Sequence, residues 1–298
     1  MLAELAQQYP QVRETFEEAS QGCGLDLWAL AQEGPEEKLN QTEFTQPTLL
    51  AAGVAVWRAW VAAGGAQPGQ FSGHSLGEYA ALVAAGSLSL ADAAALVRKR
   101  GSLMQAAVPA GTGAMAAVLG AEDAVVAEVC AAVSNNEVVV PANYNSPGQI
   151  VIGGHALALE RALVELAARG VRKVVKLAVS VPSHTPLMRE AATQLGEAMN
   201  ILMWRMPDRP VLQNADARAE TSIEAIREAL VRQLYLPVRW TQCVQLLATN
   251  GATHVVECGP GKVLAGLVKR IDKSLDARSI GAPADFAVAL SDINGVSA

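Results

Sequence analysis

The chain has 298 residues, 51% of them hydrophobic and 17% charged, with a formal net charge of −6. That describes a soluble globular protein with ample core, of one large or two moderate domains. The acidic balance argues against nucleic acid as a partner, and aromatics at only 4% leave the core to Ala, Leu and Val.

In chain order, the opening MLAELAQQYPQVRETFEEA is an acidic amphipathic pattern without the basic start of a signal peptide, and a helix is predicted over Leu2–Ser20. Apolar periodicity predicts further helices over Leu25–Ala31, Pro47–Ala63, Leu76–Ala85 and Leu90–Val108. The most apolar run, 49–66, carries Arg58 and two Trp and reads as a buried helix rather than a membrane span. Gln70-Phe71-Ser72 reads as the end of a short strand.

From Gly113 the pattern changes. Strands are predicted over Ala114–Leu119, Val138–Tyr144, Gln149–Gly153 and Arg172–Val179, with helices over Glu122–Val133 and Leu157–Arg169 and a turn at Asn145-Ser146-Pro147-Gly148. That order is β-α-β-β-α-β, the split ferredoxin-like unit. The expected class is therefore α/β, an α/β-hydrolase-like large domain with a parallel sheet (1–109 and 180–298) into which a ferredoxin-like domain (110–179) is inserted. The large domain is expected to continue with helices Pro186–Met199 and Ser222–Leu236. A buried strand, Val255–Cys258, follows, and Gly259-Pro260-Gly261 opens a further helix.

Gly73-His74-Ser75-Leu76-Gly77 is a G-x-S-x-G between a strand end and a helix. A serine hydroxyl is a weak nucleophile; it needs a base for its proton and donors for the oxyanion. This motif supplies a sharp turn that exposes the hydroxyl and aims the next backbone N–H, that of Leu76, at the oxyanion. An ordinary serine cap on a helix would leave the same pattern.

Four histidines can be weighed as the base. His74 adjoins the serine, so its ring should point elsewhere; His155 opens an amphipathic helix and should be exposed; His254 begins a strand. His184, in Val181-Pro182-Ser183-His184-Thr185-Pro186, sits after a strand and before a helix, in a loop stiffened by two prolines, with Thr185 as N-cap and Pro186 at the first helical position. A loop histidine packed for structure is the competing reading.

Arg100 falls on the apolar stripe Ala93, Leu96, Val97, Leu103, Met104, Ala107, whereas Arg98 and Lys99 do not. An inward guanidinium needs an anion: a structural carboxylate, or a substrate carboxylate held bidentately.

Other signals close. Gly111-Thr112-Gly113 leads into a strand and is no dinucleotide fingerprint; Gly261-Lys262 is followed by Val263 and is no P-loop. No cluster has metal-ligand spacing. Cys23, Cys130, Cys243 and Cys258 form no C-x-x-C pair and read as reduced thiols of a cytosolic protein.

GHSLGE with YAALVAAG, then RGSLMQ, GTGAMAAVLG, NSPGQIVIGG, VSVPSH, LVRQLYLPVRW and ECGPGKVLAGL, in that order over nearly the whole chain, resemble the malonyl-CoA:acyl carrier protein transacylases of type II fatty acid synthesis. The resemblance implies Ser75 as the nucleophile and His184 as general base and acid. It implies Gln233 as the residue whose backbone carbonyl orients His184, Arg100 as the partner of the malonyl carboxylate and Leu76 N–H as an oxyanion donor. Asn145, in NYNSPGQ, is placed near the cleft by analogy, and an Asx turn is an equal reading. The implied reaction is ping-pong transfer of malonyl from coenzyme A to acyl carrier protein by a cytoplasmic monomer without a cofactor. Arg172, Lys173 and Lys176 are candidates for docking an acidic carrier protein, or a solvated strand edge. A serine esterase or thioesterase and a non-catalytic carrier-binding remnant are the alternatives.

One departure stands out. The family opens with a central strand ending in P-G-Q-G-S-Q, which supplies a second oxyanion donor, and this sequence has neither. The expectation is a natural protein longer at its N-terminus and, for the sequence as written, an open apolar slot in the sheet, lower stability and weak activity.

Overall fold

A computed structural model describes residues 1–109, 111–179 and 181–296; the expected domain limits at 110 and 180 lie outside these described residues. A helical layer comes first: α1 Ala3–Gln8, α2 Gln11–Cys23, α3 Leu27–Glu33, α4 Glu36–Leu39 and α5 Thr42–Ala62. β1 Phe71–Ser72, α6 Gly77–Ala84 and α7 Leu90–Ala106 follow, then β2 Gly113–Leu119, α8 Asp123–Val133, β3 Val139–Ser146, β4 Gln149–His155, α9 Ala156–Ala168 and β5 Lys173–Lys176. A 3₁₀ turn, Pro186–Met188, leads into α10 Arg189–Met199, then β6 Val211–Gln213, β7 Arg218–Ala219, α11 Ile223–Tyr235 and α12 Trp240–Thr249. β8 His254–Glu257, α13 Val263–Ile271, β9 Asp276–Ser279 and α14 Pro283–Val296 complete the order.

The helix predicted over Leu2–Ser20 is two helices. Pro10 has no N–H to continue α1 and pushes the residue before it into extended backbone, where Tyr9 sits at φ −126°, ψ 102°. Pro47 does not open its helix as expected; α5 starts at Thr42 and carries Pro47 in its second turn. α7 is capped by Ser89, whose hydroxyl accepts from Asp92 N–H. Helices α2, α5 and α7 pack around Phe16, Leu50, Val54, Leu90 and Val97, all buried.

Residues 113–176 form a four-stranded sheet of order β3-β4-β2-β5, antiparallel throughout. α8 and α9 cover it through Val126, Val129, Ile150, Ile152, Leu159 and Leu166. This is the ferredoxin-like unit read from the sequence, with β5 shorter than predicted: it pairs only along Ala116–Leu119.

The parallel sheet of the large unit comes in two pieces. β1 pairs parallel with β6, which carries β7 on its other side, and β8 pairs parallel with β9. Between the pieces lie adjoining cavities of about 150 and 390 Å³ that share Trp57, Phe71, Ser72, Trp240, Val255, Val256 and Cys258. Among the described residues β1 pairs with β6 alone and β8 with β9 alone, and their other edges face these cavities.

Candidate active site

The strand-to-helix turn after β1 explains the motif chemically. A Cβ on Gly73 would lie 2.0 Å from the Gly77 carbonyl, so only glycine fits there; around Gly77 itself nothing would meet a Cβ within 4 Å. Of the two glycines in the motif, the first is therefore demanded by space. Ser75 sits at φ 51°, in the left-handed region where a side chain is strained. That backbone is held from outside: Ser75 N–H donates to Asn214 Oδ1 at 2.6 Å, and Asn214 Nδ2 donates to the Gly73 carbonyl at 2.8 Å. Among the described residues, the backbone hydrogen bonds of the turn leave out the N–H of Leu76, the residue at the N-cap position of α6.

His184 meets this hydroxyl from the loop before the 3₁₀ turn. Its Nε2 lies 2.8 Å from Ser75 Oγ, and its Nδ1 lies 2.7 Å from the Gln233 carbonyl on α11. A carbonyl only accepts, so Nδ1 carries the proton and Nε2 presents its lone pair to the serine. The loop is fixed by His184 N–H donating to the Leu234 carbonyl, with His184 itself at φ 62°. Thr185 takes the N-cap position with Pro186 first inside the 3₁₀ turn, as expected, but its hydroxyl donates to the Pro182 carbonyl instead of capping an N–H. Burial first, and then the Arg100 charge, push the His184 pKa down to about 3, so the ring is neutral.

Arg100 enters from α7 and is 1% exposed. Nη1 donates to Gln46 Oε1 at 2.7 Å; Nη2 donates to Gln233 Oε1 at 3.0 Å and reaches Ser75 Oγ at 3.3 Å. Nε is buried with no hydrogen-bond partner among the described residues. Gly101 allows this helix to approach α5, since a Cβ there would lie 2.5 Å from the Thr42 carbonyl oxygen.

Asn145 lies on β3 rather than in a turn, and its Oδ1 is 2.8 Å from His74 Nε2. His74, whose ring packs against Trp240, is thus turned away from Ser75. His155, expected to be exposed, is half-buried and accepts the Val138 N–H at 2.9 Å. His254 faces Asp276 across β8 and β9. Arg172 and Lys173 are exposed, whereas Lys176 pairs with Glu160 at 2.5 Å.

Three residues of the site escape the reading of the sequence: Gln46, Asn214 and Glu78. Glu78 is wholly buried, and burial raises its pKa to about 7 against the hydrogen bonds of Asn214 and Gln233 and the Arg100 charge. An acid within the buried face Glu78, Tyr79, Ala81, Leu82 was its visible signal. No group of three or more metal-ligating side chains occurs among the described residues.

A serine with a neutral base oriented by a carbonyl, and with a cation beside the nucleophile, suits an acyl group that brings its own negative charge. Fold and site together are those of an acyltransferase. The family described as "Acyl transferase domain" matches residues 3–284. The "Malonyl CoA-acyl carrier protein transacylase" of Salmonella typhimurium is 51% identical over 291 residues, covering 98% of this chain and 94% of the relative; the Bacillus subtilis protein of the same name is 40% identical, covering 97% and 92%. A crystal structure of malonyl-CoA:acyl carrier protein transacylase from Xanthomonas oryzae pv. oryzae superposes with a TM-score of 0.97 at 70% identity, covering 98% of this chain and 93% of that one. A malonyl-transacylase in complex with its type II PKS acyl-carrier protein gives 0.96 at 49% identity, covering 98% and 94%. The chain belongs to the malonyl CoA-acyl carrier protein transacylases of the acyl transferase family.

Proposed function

We propose that this chain transfers malonyl from malonyl-CoA to the phosphopantetheine thiol of an acyl carrier protein, through an ester on Ser75. The observation that carries the reading is the Ser75–His184–Gln233 relay with a buried guanidinium 3.3 Å from Ser75 Oγ. Ser75 Oγ attacks the thioester carbonyl while His184 Nε2 takes the hydroxyl proton. The C–S bond breaks and the proton leaves on the coenzyme A thiol. The carrier thiol then gives its proton to His184, its sulfur attacks the ester carbonyl, and Ser75 Oγ departs with that proton. Leu76 N–H is the proposed oxyanion donor, and the Gln233 carbonyl keeps His184 in the reactive tautomer.

Arg100 receives the malonyl carboxylate, which also neutralises the cation facing His184. An acetyl group leaves that guanidinium without its anion, the basis for choosing malonyl. Asn145 acts at one remove, holding His74 beside the nucleophile. Arg172 and Lys173 are the proposed contacts for an acidic carrier; Lys176 is already engaged by Glu160. No cofactor enters this cycle. A cytoplasmic setting is proposed with it, in keeping with four free cysteines; no helix of the described residues is long and apolar enough to cross a membrane. The limits of the inserted unit are proposed at 110 and 179.

Intact mass after brief incubation with malonyl-CoA tests the reading. One malonyl adduct, absent in Ser75→Ala and discharged by carrier protein faster than by water, is expected. An adduct elsewhere, or discharge to water at the carrier rate, would point instead to a hydrolase or to adventitious acylation.

A further inference from the structure

Glu78 is a buried carboxyl that the cycle above does not use. It lies three residues after the nucleophile, on the first turn of α6. Its Oε2 accepts from Asn214 N–H at 3.0 Å and from Gln233 Nε2 at 2.6 Å. Its Oε1 has no partner among the described residues. Such a group is unfavourable to bury unless it does something for its neighbours.

Its neighbours are the two residues that shape the site. Gln233 Nε2 has two N–H bonds to give, and gives them to the Ser75 carbonyl at 2.9 Å and to Glu78. The oxygen end of that amide is thereby turned to Arg100 Nη2. Were the amide reversed, its oxygen would face two acceptors and its NH₂ would face the guanidinium, donor against donor. Glu78 Oε2 accepts the Asn214 N–H in either protonation state. On its other side Glu78 anchors Asn214, whose amide spans Gly73 and Ser75.

We propose that Glu78 is a positioning residue for acyl-group selection: by fixing the amide of Gln233 it holds Arg100 in the orientation that receives the carboxylate of the acyl group. This rests on the reading of Arg100 as the partner of that carboxylate. Glu78 itself touches neither substrate nor the reacting atoms. A residue needed only for folding would change loading of every acyl group alike, whereas this role predicts a split between charged and uncharged groups.

The test compares wild type, Glu78→Gln, Glu78→Asp and Glu78→Ala by rapid-quench loading of Ser75 from malonyl-CoA and from acetyl-CoA, with thermal unfolding of each. In Glu78→Ala the ratio of malonyl to acetyl kcat/KM is expected to fall about tenfold or more, chiefly through malonyl KM, on top of any loss that loosening Asn214 imposes on both acyl groups alike. Glu78→Gln keeps an accepting oxygen at the same reach and is expected to restore the ratio to within about threefold. Should Glu78→Ala fail to fold, Glu78→Asp, one methylene short of Gln233, is expected to show the same split. A ratio unchanged in every folded variant, or an equal loss for both acyl groups, overturns the proposal. A wild type that loads acetyl as readily as malonyl overturns instead the reading of Arg100 on which it rests.

Discussion

The two sides of the Ser75 hydroxyl are built on opposite principles. On one side the partner is neutral: His184, stripped of its proton by burial and by the nearby cation, and aligned by backbone alone, a carbonyl of α11 and a left-handed φ of 62°. On the other side the partner is charged: Arg100, held by the side-chain amides of Gln46 and Gln233, with Glu78 behind Gln233. The difference shows how one pocket separates reaction from selection. Backbone geometry tolerates changes in neighbouring side chains, so the alignment of His184 is insulated, while the Ser75 turn is tied to the other half through Asn214, which Glu78 holds. The selecting half is a chain of amides whose orientation depends on every member. Defects on the first side should therefore slow all acyl groups equally, and defects on the second should appear as lost discrimination.

The largest expected effect is on the reactive side. Ser75→Ala should cut loading by about 10⁶-fold for malonyl and acetyl alike, because the covalent intermediate is lost. His184→Ala should cost about 10²–10⁴-fold, again with the malonyl-to-acetyl ratio preserved. Single-turnover loading from each thioester measures both. A His184 variant that spared acetyl while losing malonyl would break the comparison.

Arg100→Ala comes next and should divide the two substrates. Malonyl kcat/KM is expected to fall by about 10²-fold, the consequence of losing a charge-assisted bidentate partner in a dry site. Acetyl loading should hold or rise, since removing the guanidinium also removes a charge that weakens His184 as a base. Equal losses for both thioesters would mean that Arg100 serves the fold rather than selection.

How far the sequence revealed this follows the same division. Ser75, His184 and Arg100 carried local signals: a strand–turn–helix motif, a proline-stiffened loop, a cation on an apolar stripe. The role of Gln233 came only through the family resemblance, because a backbone carbonyl leaves no side-chain signature. Glu78 and Asn214 were missed because their partners lie far away in the chain; Gln233 is 155 residues from Glu78. The fold shows a parallel contrast. The ferredoxin-like unit was legible because β2, β3 and β4 are seven or eight residues long. The strands β6, β7 and β9 passed unnoticed, being two to four residues long and, in β9, largely polar. A large unit assembled from such short strands owes its shape to helices and to register, neither of which a period-two pattern reports.

The smallest effect sharpens the comparison from the side of stability, because the two buried groups link to pH with opposite signs. The His184 pKa is lowered from 6.5 to about 3, so between those values the unfolded chain binds a proton that the folded chain does not, and stability falls as the solution is acidified. The Glu78 pKa is raised from 4.5 to about 7, so across that range the folded chain holds the extra proton and stability rises on acidification. Between 4.5 and 6.5 each group contributes a slope of up to about 1.4 kcal/mol per pH unit, and the two nearly cancel. Thermal midpoints measured across that window separate them. Relative to wild type, Glu78→Gln should lose stability more steeply as pH falls, and His184→Gln should gain it. Parallel curves for all three proteins would show that neither group carries the displaced titration assigned to it, and the contrast between a neutral reactive half and a charged selecting half would then have to rest on the hydrogen-bond geometry alone.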